Sequence, residues 1–348
     1  MREFDYDKLI SRTWDNEILS YVSKIHEFKG RQELYIRQKP VELERLIEIA
    51  KIQSTEASNQ IEGIVTTKSR LKQIMEDKTT PRNRDEKEIL GYRNVLNLVH
   101  ENHDYIPPKS TIILQLHRDL YKFSSSIGGS YKNIDNVIEE VLPDGRKYIR
   151  FKPIDSFNTP RFMENLCEEY KNSINKDEVE PLIAIGAFIL DFLCIHPFND
   201  GNGRMSRLLT LLLLYKEGFE VGKFISIEKI IEDSKETYYE ALNKSSMLWH
   251  DGNHNLLIWI EYFLGVIIRA YKELEERVGF VTNIKGGKST RVEKAIEGKL
   301  GYFTKEDIRK ICPEVAESTI NRVFAKLKNE DKIKVIGSGR NAKWIKNY

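Results

Sequence analysis

The chain has 348 residues, of which 40% are hydrophobic and 31% are charged, and its formal net charge is +2. This length and composition predict two or three folded domains and exclude a largely disordered chain. No run of about 18 apolar residues occurs, so we expect no membrane span. The charged first residues indicate no signal peptide. Three widely spaced cysteines favour a reducing, cytoplasmic compartment over disulfides or a cysteine metal site.

Helical periodicity dominates residues 1–280. Two predicted helices, 181–195 and 203–217, are apolar almost throughout, which predicts a central and buried position. Ser110 is the expected N-cap of a helix over 110–123. The other predicted helices are 41–61, 68–75, 85–102, 234–246 and 255–275.

One segment interrupts the helical pattern. Residues 137–141 and 147–151 have the composition of short strands, and they flank Pro143, Asp144 and Gly145, a tight-turn sequence. This segment therefore predicts a β-hairpin within a helical protein.

A separate basic domain is predicted after a linker over 282–290. Residues 288–348 contain 15 Lys or Arg and 8 Asp or Glu, so the remainder of the chain is acidic. The predicted order is three helices (291–298, 304–311, 317–330) and two strands (332–336, 342–345). This is the order of a winged helix-turn-helix. Exposed polar residues of its third helix suit DNA, although a solvated basic surface or a protein partner explains them equally.

The stretch that joins the two apolar helices carries the chemistry. Pro197 stops the first helix just after His196, whose imidazole can accept a proton near neutral pH. Gly201, Asn202 and Gly203 begin the next helix, where backbone N–H groups and the helix dipole form an anion site.

Charged side chains surround this helix start. Arg204 and Arg207 are three residues apart, which predicts one helix face and two guanidiniums for a polyphosphate. Asp200 is an oxygen ligand suited to Mg²⁺ that bridges phosphates. The combination indicates a phosphate site beside a general base.

The stretch from His196 to Arg207 resembles the Fic signature, His-Pro-Phe-x-(Asp or Glu)-Gly-Asn-Gly-Arg-x-x-Arg, at every specified position. The resemblance implies an all-helical core, ATP with Mg²⁺, and transfer of AMP to a Ser, Thr or Tyr hydroxyl of a protein. It also implies that His196 is the general base and Asp200 the metal ligand. By the same resemblance Gly201, Asn202, Gly203, Arg204 and Arg207 bind the phosphates.

An upstream motif, Ser58 to Gly63, resembles the inhibitory motif of Fic proteins, (Ser or Thr)-x-x-x-Glu-(Gly or Asn). Ser58 and Glu62 are four residues apart and share a helix face. A Glu62 carboxylate on Arg207 would repel the γ-phosphate, so ATP would bind unproductively. In relatives of this kind the same glutamate also supports removal of AMP, which we keep as a lesser hypothesis.

Two further segments resemble nucleotide-binding parts of Fic proteins. Asn136, Val137, Ile138 and Glu139 resemble the flap that binds a target strand, although Lys132 and Glu139 replace the usual Arg and Gly. Tyr238 and Tyr239 resemble the tyrosine pair near the adenine, with Ser246 at a position where Asn is common.

These observations together predict a mainly α protein: a Fic-type helical bundle with a β-hairpin flap and a C-terminal winged helix-turn-helix. The predicted domains are an N-terminal helical region with the inhibitory helix (1–95), a catalytic core (96–280) and the winged domain (288–348). The expected ligands are ATP and Mg²⁺, and the expected partner is a target protein with an accessible hydroxyl, for which the chain itself is one candidate. A homodimer is an open alternative to a monomer. Two alternatives remain. One is phosphoryl or phosphocholine transfer on this scaffold, and the other is a DNA-binding regulator with a secondary transfer activity.

Overall fold

The computed structural model describes residues 4–38, 40–141, 146–176, 178–282, 288–297, 299, 302–312, 315–337 and 342–347. Its contacts divide the chain into two compact units, Met1–Glu276 and Arg277–Tyr348. The predicted N-terminal region (1–95) and catalytic core (96–280) both lie within the first unit. The boundary between them therefore stays a prediction. No helix in the described ranges is long and apolar enough to cross a membrane.

In its described residues the first unit is helical apart from one hairpin, which confirms the predicted fold class. Its helices are α1 (Asn16–Gln38), α2 (Pro40–Ile61), α3 (Lys68–Met75), α4 (Arg84–Asn102), α5 (Ser110–Leu120), α6 (Thr159–Lys176), α7 (Pro181–Ile195), α8 (Asn202–Lys216), α9 (Val221–Phe224), α10 (Ile227–Asp233), α11 (Lys235–Ser246) and α12 (Leu256–Thr282). The prediction that Ser110 is an N-cap was wrong, because α5 begins at Ser110 itself and follows Lys109 without a side-chain cap.

Helices α7 and α8 form the centre of this unit. Nearly every side chain on both helices is buried, as the apolar composition around their whole circumference requires. They pack against each other, and α4 and α2 also pack on α8. The loop between α7 and α8 is therefore held between two helices that cannot move without disturbing the core.

The predicted hairpin consists of β1 (Ile138–Val141) and β2 (Lys147–Phe151), paired antiparallel with an irregularity in the register between Ile138 and Glu139. Its predicted turn at 143–145 lies outside the described residues. A register irregularity of this kind twists a strand and redirects its side chains.

The second unit has its own core. Its elements are α13 (Lys288–Glu297), α14 (Lys305–Ile311), α15 (Glu317–Asn329), β3 (Ile333–Ile336) and β4 (Lys343–Lys346). Thr304 caps α14 in a capping box with Asp307, and Phe303 forms a β-bridge with Trp344. Phe324 packs against Trp344 in the buried cluster. The tip between β3 and β4, at 338–341, lies outside the described residues.

Candidate active site

His196 ends α7 in the left-handed conformation, with φ 51° and ψ 62°, and its N–H bonds the carbonyl of Phe192 at 2.9 Å. Its Nδ1 lies 3.3 Å from the Leu193 carbonyl oxygen. A carbonyl can only accept, so Nδ1 carries the proton and Nε2 is left as the proton acceptor. Burial lowers the pKa of His196 to about 4, so the imidazole is neutral at pH 7.

Two asparagines hold the loop that follows His196. The Asn202 amide accepts from the Phe198 N–H at 2.9 Å and donates to the Phe198 carbonyl at 2.8 Å. Asn136 donates to the carbonyls of His196 and Phe198 at 3.3 and 3.1 Å. Both side chains are engaged by the loop backbone, and the predicted nucleotide contacts of Asn136 and Asn202 stay predictions.

His117 also fixes this loop, and the sequence analysis did not identify it. Its ring stacks on Phe198 with centroids 3.7 Å apart, its Nε2 lies 3.0 Å from the Asp200 carbonyl oxygen, and its Nδ1 accepts from the Gly129 N–H at 3.0 Å. Burial lowers the pKa of His117 to about 4, which keeps this neutral tautomer in place. No local pattern around residue 117 indicates this contact.

The start of α8 has the geometry that its glycines predicted. Gly201 has φ 85°, and a Cβ on Gly203 would lie 2.2 Å from Oε1 of Glu62, so only glycine leaves room for that carboxylate. Asp200 is 57% exposed, and its carboxylate lies 3.3 Å from Arg84. The Gly201 N–H donates to the same carboxylate at 2.7 Å.

Arg204 does not face the same site as Arg207, which corrects the prediction that both arginines bind phosphate. Its guanidinium is fully buried, 2.7 Å from the buried Glu88 carboxylate, and it donates to the Tyr121 hydroxyl at 2.7 Å. The contact with Glu88 is close but poorly aligned as a hydrogen bond. Arg204 thus joins α8 to α4 and α5.

Arg207 faces α2. Its Nε donates to the Ser58 hydroxyl, and its Nη2 donates to the Ser58 carbonyl and to Glu62, all at 2.8 Å. Burial alone would lower the pKa of Arg207, but Glu62 and the buried Tyr238 and Tyr92 raise it above its usual range. The residues of the upstream motif therefore meet the arginine that the sequence analysis assigned to them.

These elements enclose a cavity of about 990 Å³. The predicted site residues that line it are Glu62, Ile138, Glu139, His196, Gly203, Arg207, Tyr238 and Tyr239. The remaining predicted site residues are outside its lining: Ser58, Gly63, Asn136, Val137, Asp200, Gly201, Asn202 and Arg204. Arg150, Lys235 and Ser246 also line the cavity, and the sequence analysis assigned no role to the first two.

Within the described ranges, no group of three or more His, Cys, Asp or Glu side chains is arranged to hold a metal. Mg²⁺ commonly binds through one or two carboxylates together with substrate phosphates and water. The exposed Asp200 carboxylate fits that mode of binding.

A comparison with known families gives one match. Residues 107–214 match the model of the Fic/DOC family. Residues 107–214 are therefore similar to a Fic domain. The match runs from the start of α5 to α8 and therefore includes His117, the hairpin and the loop from His196 to Arg207. It excludes Glu62 on α2 and the tyrosine pair on α11.

Curated relatives resemble the chain at low identity. Over 212 residues, or 59% of the chain, it is 25% identical to "Protein adenylyltransferase Fic" of Nematostella vectensis and covers 45% of that protein. It is 40% identical over 68 residues to a Fido domain-containing protein of Dictyostelium discoideum, of which it covers 47%. The chain thus spans about half the length of the curated relatives it matches.

A solved structure shares the fold. A Fic family protein from Desulfovibrio desulfuricans G20 superposes with a TM-score of 0.64 at 20% sequence identity, and the match covers 97% of both chains. This likeness concerns the fold alone, so the chemistry of the site rests on its own side chains.

Proposed function

We propose that the protein is an adenylyltransferase that moves AMP from ATP to a Ser, Thr or Tyr hydroxyl of a protein. The observation that carries the proposal is one cavity in which a neutral His196 lies with Gly203 and Arg207 at the start of a helix. A base and an anion site in one cavity are what transfer from a polyphosphate to a hydroxyl requires. The printed name of the Nematostella relative supports the same reaction.

The proposed reaction is an in-line displacement. Nε2 of His196 accepts the proton of the target hydroxyl, and the hydroxyl oxygen forms a bond to the α-phosphorus of ATP. The bond from that phosphorus to the bridging oxygen breaks, and pyrophosphate leaves with its electron pair. The protonated imidazole then releases its proton to solvent, and Arg207 with the N–H groups of the helix start offsets phosphate charge.

Mg²⁺ would be held by Asp200 with phosphate oxygens and water, and it would neutralise phosphate charge during transfer. In the structure the Asp200 carboxylate contacts Arg84 at 3.3 Å. Both side chains are largely exposed, so this pair is weak and a divalent ion can replace Arg84.

Glu62 is the proposed brake. Its carboxylate occupies Arg207 and lies against Gly203, where an ATP γ-phosphate would otherwise be bound. The Glu62 side chain is 32% exposed, so it can leave without opening the core. Orientation of water by Glu62, which would remove AMP from the target, is a lesser proposal on the same geometry.

The position of the transferred label tests this proposal. The protein is incubated with Mg²⁺, a host lysate and ATP labelled at either the α or the γ phosphorus. Label from the α position should enter protein, on the chain itself or on a lysate protein, and His196→Ala should abolish the signal. Label entering only from the γ position would show phosphoryl transfer and overturn the proposal.

A second candidate function rests on the second unit. Its order of helices and strands, with the bridge at Phe303, is that of a winged helix-turn-helix. Ser318, Asn321 and Arg322 are exposed on α15. We propose that this face binds duplex DNA. A salt-sensitive shift of duplex DNA by the full chain, weakened by Arg322→Glu, is expected, and no shift at low salt would remove this candidate.

A further inference from the structure

Arg150 is a charged side chain of the cavity that has no protein partner in the described part of the chain. It lies on β2 and lines the cavity on the hairpin side. Its Nε is buried and has no hydrogen-bond partner. No ion pair joins its guanidinium to any described carboxylate, and Cζ lies over the Tyr239 ring, 6.0 Å from the centroid.

An unpaired guanidinium in this position needs an explanation. The group is always charged, and a buried N–H without an acceptor is destabilising. Among the acidic side chains that line the cavity, Glu62 pairs with Arg207 and Glu240 pairs with Lys244 at 2.6 Å. Glu139 and Glu236 also line it, and neither forms an ion pair with Arg150 in the described part of the chain. A ligand with acceptor oxygens would satisfy Arg150.

The cavity contains two arginines, and they belong to different elements. Arg207 comes from α8 and Arg150 from the hairpin, while Arg204 points away to Glu88. Two cations that line one cavity from different elements indicate an anion between them. Burial is the main cause of the lowered pKa of His196, and the charge of Arg150 acts in the same direction.

We infer that Arg150 is the second phosphate-binding arginine of this site, and that it binds the polyphosphate of ATP from the hairpin. The inference rests on the proposed function, since it assumes ATP as the ligand. It gives Arg150 the role that the signature pattern assigned to Arg204. It also makes the hairpin part of the nucleotide site. Bound nucleotide would then contact the same hairpin that is expected to bind the target protein.

Equilibrium binding of α,β-methylene ATP, an analogue that cannot transfer AMP, tests the inference. Binding is measured with Mg²⁺ in the Glu62→Gly background, where Arg207 is available. Arg150→Ala should weaken binding by about ten- to a hundredfold, the usual effect of losing a charge-assisted contact. Arg150→Lys, which keeps the charge, should restore part of that loss. Arg146→Ala, a change just before the same strand, should leave binding within about twofold.

Adenosine separates phosphate binding from damage to the cavity. It lacks phosphates, so its affinity should be equal in Arg150→Ala and in the parent. An equal loss for adenosine and the ATP analogue would show a structural role at Tyr239 and overturn the inference. Unchanged binding of the analogue by Arg150→Ala would overturn the inference alone. No binding of the analogue by the parent would overturn the proposed function as well.

Discussion

Two arginines on opposite sides of the first turns of α8 are neutralised in different ways. On one side Arg204 is fully buried with Glu88, whose side chain is 1% exposed. On the other side Arg207 is paired with Glu62, whose side chain is 32% exposed and lines the cavity. Both carboxylates lie within 2.8 Å of their arginine, at 2.7 and 2.8 Å.

This difference indicates which of the two arginines can exchange its carboxylate partner for a phosphate. Glu88 cannot leave Arg204 without burying an uncompensated charge, so that pair is permanent. Glu62 can move into the cavity and be replaced by a phosphate, while Ser58 continues to hold Arg207 through two contacts. We regard the first pair as part of the scaffold and the second as a switch.

The largest expected effect is a loss of stability when the permanent pair of Arg204 and Glu88 is broken. Glu88→Gln removes the buried counterion of Arg204, leaves only the exposed Asp200 carboxylate at 3.7 Å, and should lower the free energy of unfolding by about 3–5 kcal/mol. Glu62→Gln, the matched change on the switch side, should lower it by less than about 1 kcal/mol. Urea unfolding at pH 7 measures both. Equal losses would remove the distinction between scaffold and switch.

The next prediction concerns the loop before α8, which we group with the permanent ion pair as part of the scaffold. Asn136→Ala removes one donor from each of the carbonyls of His196 and Phe198; Phe198 keeps its bond from Asn202, while the loss at His196 costs about 1–3 kcal/mol. Transfer of α-label by the Glu62→Gly variant should fall about tenfold with this change. Ile134→Ala, a change at an exposed side chain nearby, serves as the control. Full activity of Asn136→Ala would contradict the assignment of Asn136 to the loop.

A smaller effect concerns the end of the switch helix. Lys235 donates to the Ile61 carbonyl at 2.8 Å, at the C-terminus of α2, and its charge also favours that helix end. Lys235→Met should speed hydrogen exchange of the Glu62 and Gly63 amides by about two- to tenfold without nucleotide. Lys244→Met on the same helix is the control. Unchanged exchange would show that Lys235 does not hold α2.

The smallest effect concerns pH: we expect the transfer rate not to depend on pH over the range in which His196 stays neutral. Burial lowers the pKa of His196 to about 4, so the base is neutral above that pH and is lost only below it. Glu62 raises this pKa, so its removal cannot move it upward. The transfer rate of Glu62→Gly, normalised to bound ATP, should therefore be flat between about pH 8 and 5.5. Half-maximal rate near about pH 6.5 would contradict the lowered pKa.

Local patterns predicted the central elements because their causes are local. Pro197 and Gly201 bound the loop, and the apolar runs determined α7 without error and α8 within one residue. The four-residue spacing of Ser58 and Glu62 placed both residues on the face that meets Arg207. The long helix α1 was not predicted.

The missed contacts depend on partners far away in the sequence. Arg204 and Arg207 differ by three residues, which allows one common face, but Glu88 on α4 takes Arg204 away from the cavity. Asn136 turns to the loop because its amide donates to the carbonyls of His196 and Phe198, which lie 60 and 62 residues away in the sequence. Arg150 reaches the cavity only because the hairpin folds over it, which no pattern around residue 150 indicates.

The central claim is that Glu62 restrains AMP transfer at His196. The most direct test compares α-label incorporation from ATP by the wild type, Glu62→Gly and Gln60→Gly, the last of which adds the same glycine to α2 but keeps the carboxylate. We predict that Glu62→Gly raises transfer by about 5- to 150-fold, that Gln60→Gly does not, and that adding His196→Ala removes the gain. An unchanged rate in a folded, ATP-binding Glu62→Gly variant, or an equal gain in Gln60→Gly, would contradict the claim.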